Sequence, residues 1–130
     1  MANVLIQADS RFPVDRRRIR RTINRILTAQ GVGAEVEVSV LIVGDRKMKA
    51  LNEQYRRKKA TALVLAFPLE TTGADAGIGF AGAPDNILRL GDIVISYPQA
   101  RKRAIMEKVT IDDQVEKLVS HAMKHLLGTS

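Results

Sequence analysis

Ala34-Glu35-Val36-Glu37-Val38-Ser39-Val40-Leu41-Ile42-Val43 (AEVEVSVLIV) starts in strict alternation and ends as an unbroken apolar run. Alternation with a period of two marks a strand with one covered face, and the continuous run marks one covered on both. Gly44-Asp45 then breaks the pattern, with Asp45 suited to cap a helix, and Met48, Leu51 and Tyr55 recur on one side of the next segment. A buried strand running straight into an amphipathic helix is an α/β arrangement.

The flanking segments extend this reading. Upstream, Asn3 to Ala8 (NVLIQA) reads as a short first strand. From about Val14 to Gln30, Ile19, Ile23, Ile26 and Leu27 keep helical spacing, with Pro13 suited to the first turn and Gly31 just past the end. Downstream, Leu63 to Phe67 (LVLAF) is a third strand stopped by Pro68, and Leu90 to Ser96 (LGDIVIS) is a fourth. Between them Glu70 to Asn86 is rich in Gly and Ala and reads as a long loop or loose hairpin. Its GIGFAG is not a dinucleotide fingerprint, because no helix follows it. Pro98 opens a helix over Gln99 to about Lys108, and Thr110-Ile111-Asp112-Asp113 opens a last one reaching about Gly128. No repeat or boundary interrupts residues 1–130. The expectation is one α/β domain, a small mixed four-stranded sheet with helices packed on its faces.

Bulk properties narrow the function. At 130 residues the chain can bury a core without staples. No run of about eighteen apolar residues is present to cross a membrane, and the start (MANVLIQADS) is unlike a secretory signal. Zero cysteines remove disulfides, thiolate ligands and a cysteine nucleophile, and a cytoplasmic location fits. Twenty-one Lys and Arg against fourteen Asp and Glu leave a net charge of +7. That balance favours a polyanionic partner through counterion release at phosphates. Two stretches concentrate the charge. Arg16, Arg17, Arg18, Arg20, Arg21 and Arg25 lie on the outer side of the first helix, and Arg56-Arg57-Lys58-Lys59 end the second. The first-helix face reads equally as a solvated surface or an RNA-facing one.

The two histidines, His121 and His125, lie four residues apart on the last helix. Its core stripe is Val115, Leu118, Val119, Ala122, Met123 and Leu126, and both imidazoles fall about 110° from the stripe's centre. That places them at the edge of the core, where a cleft wall stands. One turn apart, they can share a metal ion. Glutamate does not follow the first histidine, Ala122 being there, so this is not a zinc-protease motif. Two nitrogens also fall short of the three protein ligands usual in catalytic zinc sites, and solvated helix histidines remain the other reading.

Three blocks in order make the chain resemble the YbeY-type endoribonucleases that mature ribosomal RNA. They are Leu51-Asn52-x-x-Tyr55-Arg56 leading to Val64-Leu65-Ala66-Phe67-Pro68-Leu69-Glu70, then Leu90-Gly91-Asp92-Ile93-Val94-Ile95-Ser96, then the terminal helix, where the family carries H-G-x-L-H-L-x-G-Y-D-H. The resemblance implies a zinc-dependent endoribonuclease specific for single strands. Two zinc ligands fall on His121 and His125, and the third falls at position 131, beyond this chain. Arg56 is implied as the phosphate-holding catalytic arginine and Asp92 as a catalytic residue near the site. Arg16, Arg17, Arg20, Arg56, Arg57, Lys58 and Lys59 are then RNA-binding. Implied partners are ribosomal RNA or the small ribosomal subunit, with a small-subunit ribosomal protein or a ribosome-assembly GTPase. The chain departs from the family at Leu63 and Ala66, where the pattern has aspartate and serine, and at Ala122, Thr129 and Ser130. These departures bear on catalysis more than on fold. A non-catalytic RNA- or ribosome-binding protein that keeps the fold is the alternative.

Overall fold

The computed structural model describes residues 2–32, 35–69 and 87–128. Its elements run β1 (Ala2–Ala8), α1 (Arg16–Ala29), β2 (Glu35–Val43), α2 (Asp45–Arg56), β3 (Val64–Pro68), β4 (Ile87–Ser96), α3 (Tyr97–Glu107) and α4 (Ile111–Leu126). The loop expected over Glu70 to Asn86 lies outside the described residues.

The four strands form one mixed sheet in the order β1-β2-β4-β3. β1, β2 and β4 are parallel, and β3 joins β4 antiparallel at one edge. The expected α/β class and four-stranded mixed sheet are therefore present. α1 and α4 cover one face, over a core of Ile19, Ile23, Val36, Val38, Val40, Ile93, Ile95, Val115, Val119 and Met123. α2 covers the other face with a smaller cluster of Met48, Leu65 and Val94. This double coverage is why β2 turns continuously apolar: Val40 and Ile42 face α1 and α4, while Leu41 and Val43 face α2.

β4 begins earlier than its alternation suggests. Leu88 and Leu90 share a face with Ile93 and Ile95, so the odd-even pattern slips between them. The cause is a bulge. Glu37 stands opposite Arg89 and Val38 opposite Gly91, leaving Leu90 as the extra residue. Gly91 has φ of +148°, and a Cβ there would overlap the Phe67 carbonyl oxygen. Glycine is what permits β3 to pair so closely at this point.

The helix starts follow capping chemistry. Asp15 accepts from the Arg18 N–H, Ser96 from the Gln99 N–H, and Thr110 with Asp113 forms a capping box. α1 therefore starts at Arg16, beyond the first turn assigned to Pro13. Asp45 is not a cap. Gly44 holds that position, and the Asp45 carboxylate instead accepts from Thr61 Oγ1 (3.0 Å), Ser96 Oγ (2.9 Å) and Gln99 Nε2 (3.1 Å). Burial, the largest single influence on this carboxyl, pushes its pKa up. The hydrogen bonds from Ser96, Gln99 and Thr61, with the Lys102 charge, outweigh burial and hold it below the ordinary value.

Candidate nucleic-acid cleft

Among the described residues β3 is an edge strand, and the cleft it borders is reached by elements on both faces of the sheet. The C-terminal end of α2 comes to that edge from one face and the last turns of α4 from the other. Between them lies a cleft of about 460 Å³, lined by Tyr55, Arg56, Val64 to Phe67, His121, Ala122 and His125.

Ala122 and Met123 are buried, and they fix the rotation of α4 so that His121 and His125 stand exposed toward β3. Arg56 is the last residue of α2 and enters the same cleft from across β3. Arg56 is the one formally charged side chain among the described residues that line the cleft, and no carboxylate is among them.

The basic segment after Arg56 is tethered by a residue whose role is not visible in the sequence pattern. Asn52 is buried, and its Nδ2 donates to the Ala60 carbonyl at 2.7 Å. Arg57 adopts a left-handed conformation with φ of 57°, which turns the chain out of α2, and the Lys58 N–H returns to the Asn52 carbonyl at 3.3 Å. Asn52 thus closes the loop carrying Arg57, Lys58 and Lys59. The one available signal is an asparagine one turn after Met48, on the helix's apolar side.

The remaining expected residues lie elsewhere. Asp92 pairs with Phe67 on β3 and Ser39 on β2, and strand alternation puts it with Val94 on the α2 face. It stands one strand inward from the cleft, on the sheet face opposite the imidazoles, and is not among the lining residues. α1 packs on β1, at the far edge of the sheet. Three strand spacings, roughly 14 Å, separate that edge from β3. On α1, Arg17 and Arg20 are exposed, while Arg16 Nη1 donates to the Ile6 carbonyl at 2.8 Å. Arg18 does not belong to the open basic face. It is turned toward α4, with Nη2 at 2.6 Å from Asp113 and Nε at 3.1 Å from Glu116. Hydrogen bonds from Arg18 hold both carboxyls below their ordinary pKa values.

The sequence profile of the Endoribonuclease YbeY family matches residues 5–129. The chain belongs to the YbeY endoribonuclease family. An Endoribonuclease YbeY from Moorella thermoacetica is 37% identical over 126 residues, covering 94% of this chain and 78% of that protein. One from Anaeromyxobacter sp. (strain Fw109-5) is 36% identical over 112 residues, 86% of this chain. The chain spans about half, 52%, of that relative's length. The solution structure of a Thermotoga maritima protein superposes with a TM-score of 0.56 over 97% of this chain and 71% of its own. At 19% identity that likeness concerns the fold alone. Family membership gives the three sequence blocks physical meaning: Tyr55 and Arg56 with Val64 to Phe67 line the cleft, Gly91 allows β3 to close on β4, and α4 supplies the imidazoles.

Proposed function

We propose that this chain is an endoribonuclease cutting single-stranded RNA in ribosomal RNA maturation, with the cleft beside β3 as its active site. The supporting observation is the meeting of Arg56 with His121 and His125 across an edge strand, from elements far apart in sequence. Arg56 binds the phosphodiester and offsets charge developing on it. Arg57, Lys58 and Lys59 hold the flanking phosphates without reading sequence.

His121 and His125 fit as two members of a zinc donor set: they are exposed, one turn apart and aimed into one cleft. Among the described residues no third His, Cys, Asp or Glu joins them. Zinc held by this pair would take its remaining ligands from water or substrate. Zinc, when bound, supplies Lewis-acid stabilisation of the scissile phosphate. Family membership supports ribosomal RNA or the small ribosomal subunit as partner, with a small-subunit ribosomal protein or an assembly GTPase setting specificity, in the cytoplasm.

The two-ligand set and the absence of a carboxylate in the cleft among the described residues also support a second reading, an RNA- or ribosome-binding protein without catalysis. Metal analysis together with cleavage of a single-stranded RNA separates the two. The expected result is cleavage abolished in His121→Ala and reduced roughly a hundredfold or more in Arg56→Glu. Cleavage indifferent to His121, with no bound metal, refutes the enzymatic reading and leaves the binding protein.

A further inference from the structure

Phosphate binding leaves two features of the cleft unused. The first is the outer edge of β3. The Ser96 N–H donates to the Leu63 carbonyl and the Leu69 N–H to the Leu90 carbonyl, both at 3.1 Å, while Leu65 stands opposite Val94 and Phe67 opposite Asp92. Along an antiparallel strand, residues alternate between bonding the partner and pointing away. Leu63, Leu65, Phe67 and Leu69 therefore aim their N–H and C=O groups at β4. Val64 and Ala66 aim theirs outward, at the cleft they line. No described residue bonds these outward groups. The second feature is Tyr55. It lines the same cleft with 59% of its surface exposed, leaning on Phe67 with ring centroids 5.1 Å apart.

An outward C=O at Val64 followed by an outward N–H at Ala66 sets an acceptor beside a donor. The Watson–Crick edge of adenine or cytosine is the complement, an amino donor beside a ring-nitrogen acceptor, and unpaired bases are read on that edge while stacked on aromatic rings. The geometry points to a nucleobase subsite, in which an unpaired adenine or cytosine stacks on Tyr55 and hydrogen-bonds the Val64 C=O and Ala66 N–H. This rests on the endoribonuclease reading and deepens it. A base already paired in a duplex has no free edge to offer, so the subsite makes the cleft select single strands. It also adds a preference for amino-bearing bases, which the phosphate contacts cannot provide.

An extended peptide also complements a sheet edge. Here the edge offers outward N–H donors only at Val64 and Ala66, because Pro68, the next residue in that register, has no N–H to give an added strand. The exposed tyrosine and the Arg56 charge, with no carboxylate among the described lining residues, favour a nucleotide instead.

The test removes one atom group. In Ala66→lactate, an ester replaces the amide, deleting the outward N–H while keeping the methyl and every N–H that β3 donates to β4, with the Leu65 C=O a weaker acceptor. Binding is read by fluorescence anisotropy, without cleavage, on a short oligouridine carrying one central adenosine or one central 1-deazaadenosine, which lacks the N1 acceptor but stays uncharged. Wild type should bind the adenosine oligomer about five- to tenfold more tightly, the worth of about one hydrogen bond. The ester should lose that preference while binding the deaza oligomer as wild type does. Tyr55→Leu should weaken the adenosine oligomer and not the same strand with a central abasic site. A preference unchanged by the ester overturns the subsite, as does equal weakening of both oligomers. Displacement of RNA by an extended peptide, with no base preference, assigns the edge to a protein strand. His121-dependent cleavage with base-indifferent binding refutes this inference alone, whereas no RNA binding at all refutes it together with the endoribonuclease reading.

Discussion

Gly91→Ala should cost far more than an ordinary glycine replacement, and Gly31→Ala supplies the control within the same chain. Both glycines have positive φ, +148° and +70°. A Cβ at Gly31 meets nothing within 4 Å, so that substitution carries backbone strain alone, about 1 kcal/mol. At Gly91 the Cβ would overlap the Phe67 carbonyl oxygen, and would stand 3.0 Å from Pro68 Cα and 3.1 Å from Leu126 Cδ2. Two of these three atoms belong to the β3 backbone, which cannot rotate aside as a side chain does. Overpacking adds about 1–3 kcal/mol to a strain of about 1 kcal/mol, for a total of about 2–4 kcal/mol. Urea unfolding should show the midpoint falling at constant slope, and thermal unfolding should fall by roughly 10–15 °C. Because β3 must withdraw from β4 to admit the methyl, the cleft wall at Phe67 moves as well. RNA cleavage at a temperature where the variant is folded should therefore drop. If Gly91→Ala is destabilised within about 1 kcal/mol of Gly31→Ala, the close approach of β3 at the bulge is not the reason for this glycine.

Arg18→Ala should lower the melting temperature at neutral pH, and the loss should shrink in high salt because the pairs with Asp113 and Glu116 are partly exposed. Both carboxyls are depressed below 3.8 and 4.5, so the stability they contribute is complete above about pH 4.5 and disappears as pH falls through the lower folded values. The wild-type advantage over the variant should thus vanish in acid, and an advantage that persists there refutes the pairing. Asp45→Asn should cost about 1–2 kcal/mol in urea unfolding, since an amide cannot accept from Thr61, Ser96 and Gln99 together; wild-type stability would show that these bonds are not formed in solution. Arg17→Glu with Arg20→Glu should leave cleavage of short oligonucleotides unchanged and weaken binding of long RNA, because α1 lies at the opposite sheet edge from the cleft. Equal losses on short and long RNA would place α1 in the cleft's own substrate path.

Much of the architecture was legible because periodicity is a local property. Alternation in Ala34 to Val43, the helical spacing of Ile19, Ile23 and Leu27, and the cap at Thr110 each depend on residues within a few positions. The rotation of α4 was legible for the same reason, so the imidazoles could be placed at a core edge before any packing was known. Boundaries failed where a long-range contact overrode the local signal. β4 starts at Ile87 because the Leu90 bulge interrupts its alternation, and Asp45 leaves the capping role because Ser96 and Gln99, about fifty residues on, compete for its carboxylate.

By itself the sequence determined the class of fold, the order of its elements, the excess of positive charge and the pairing of His121 with His125 on one helix face. Only the tertiary structure decided that β3 lies at the sheet's edge, because strand order depends on pairings between residues far apart in the chain. That edge brings Arg56 to the histidines, leaves Val64 and Ala66 with open backbone groups, sets Asp92 on the other face and removes α1 to the far side. Arg18 shows the same division: its charge was plain from the sequence, but only the packing of α1 against α4 turned it inward to Asp113 and Glu116.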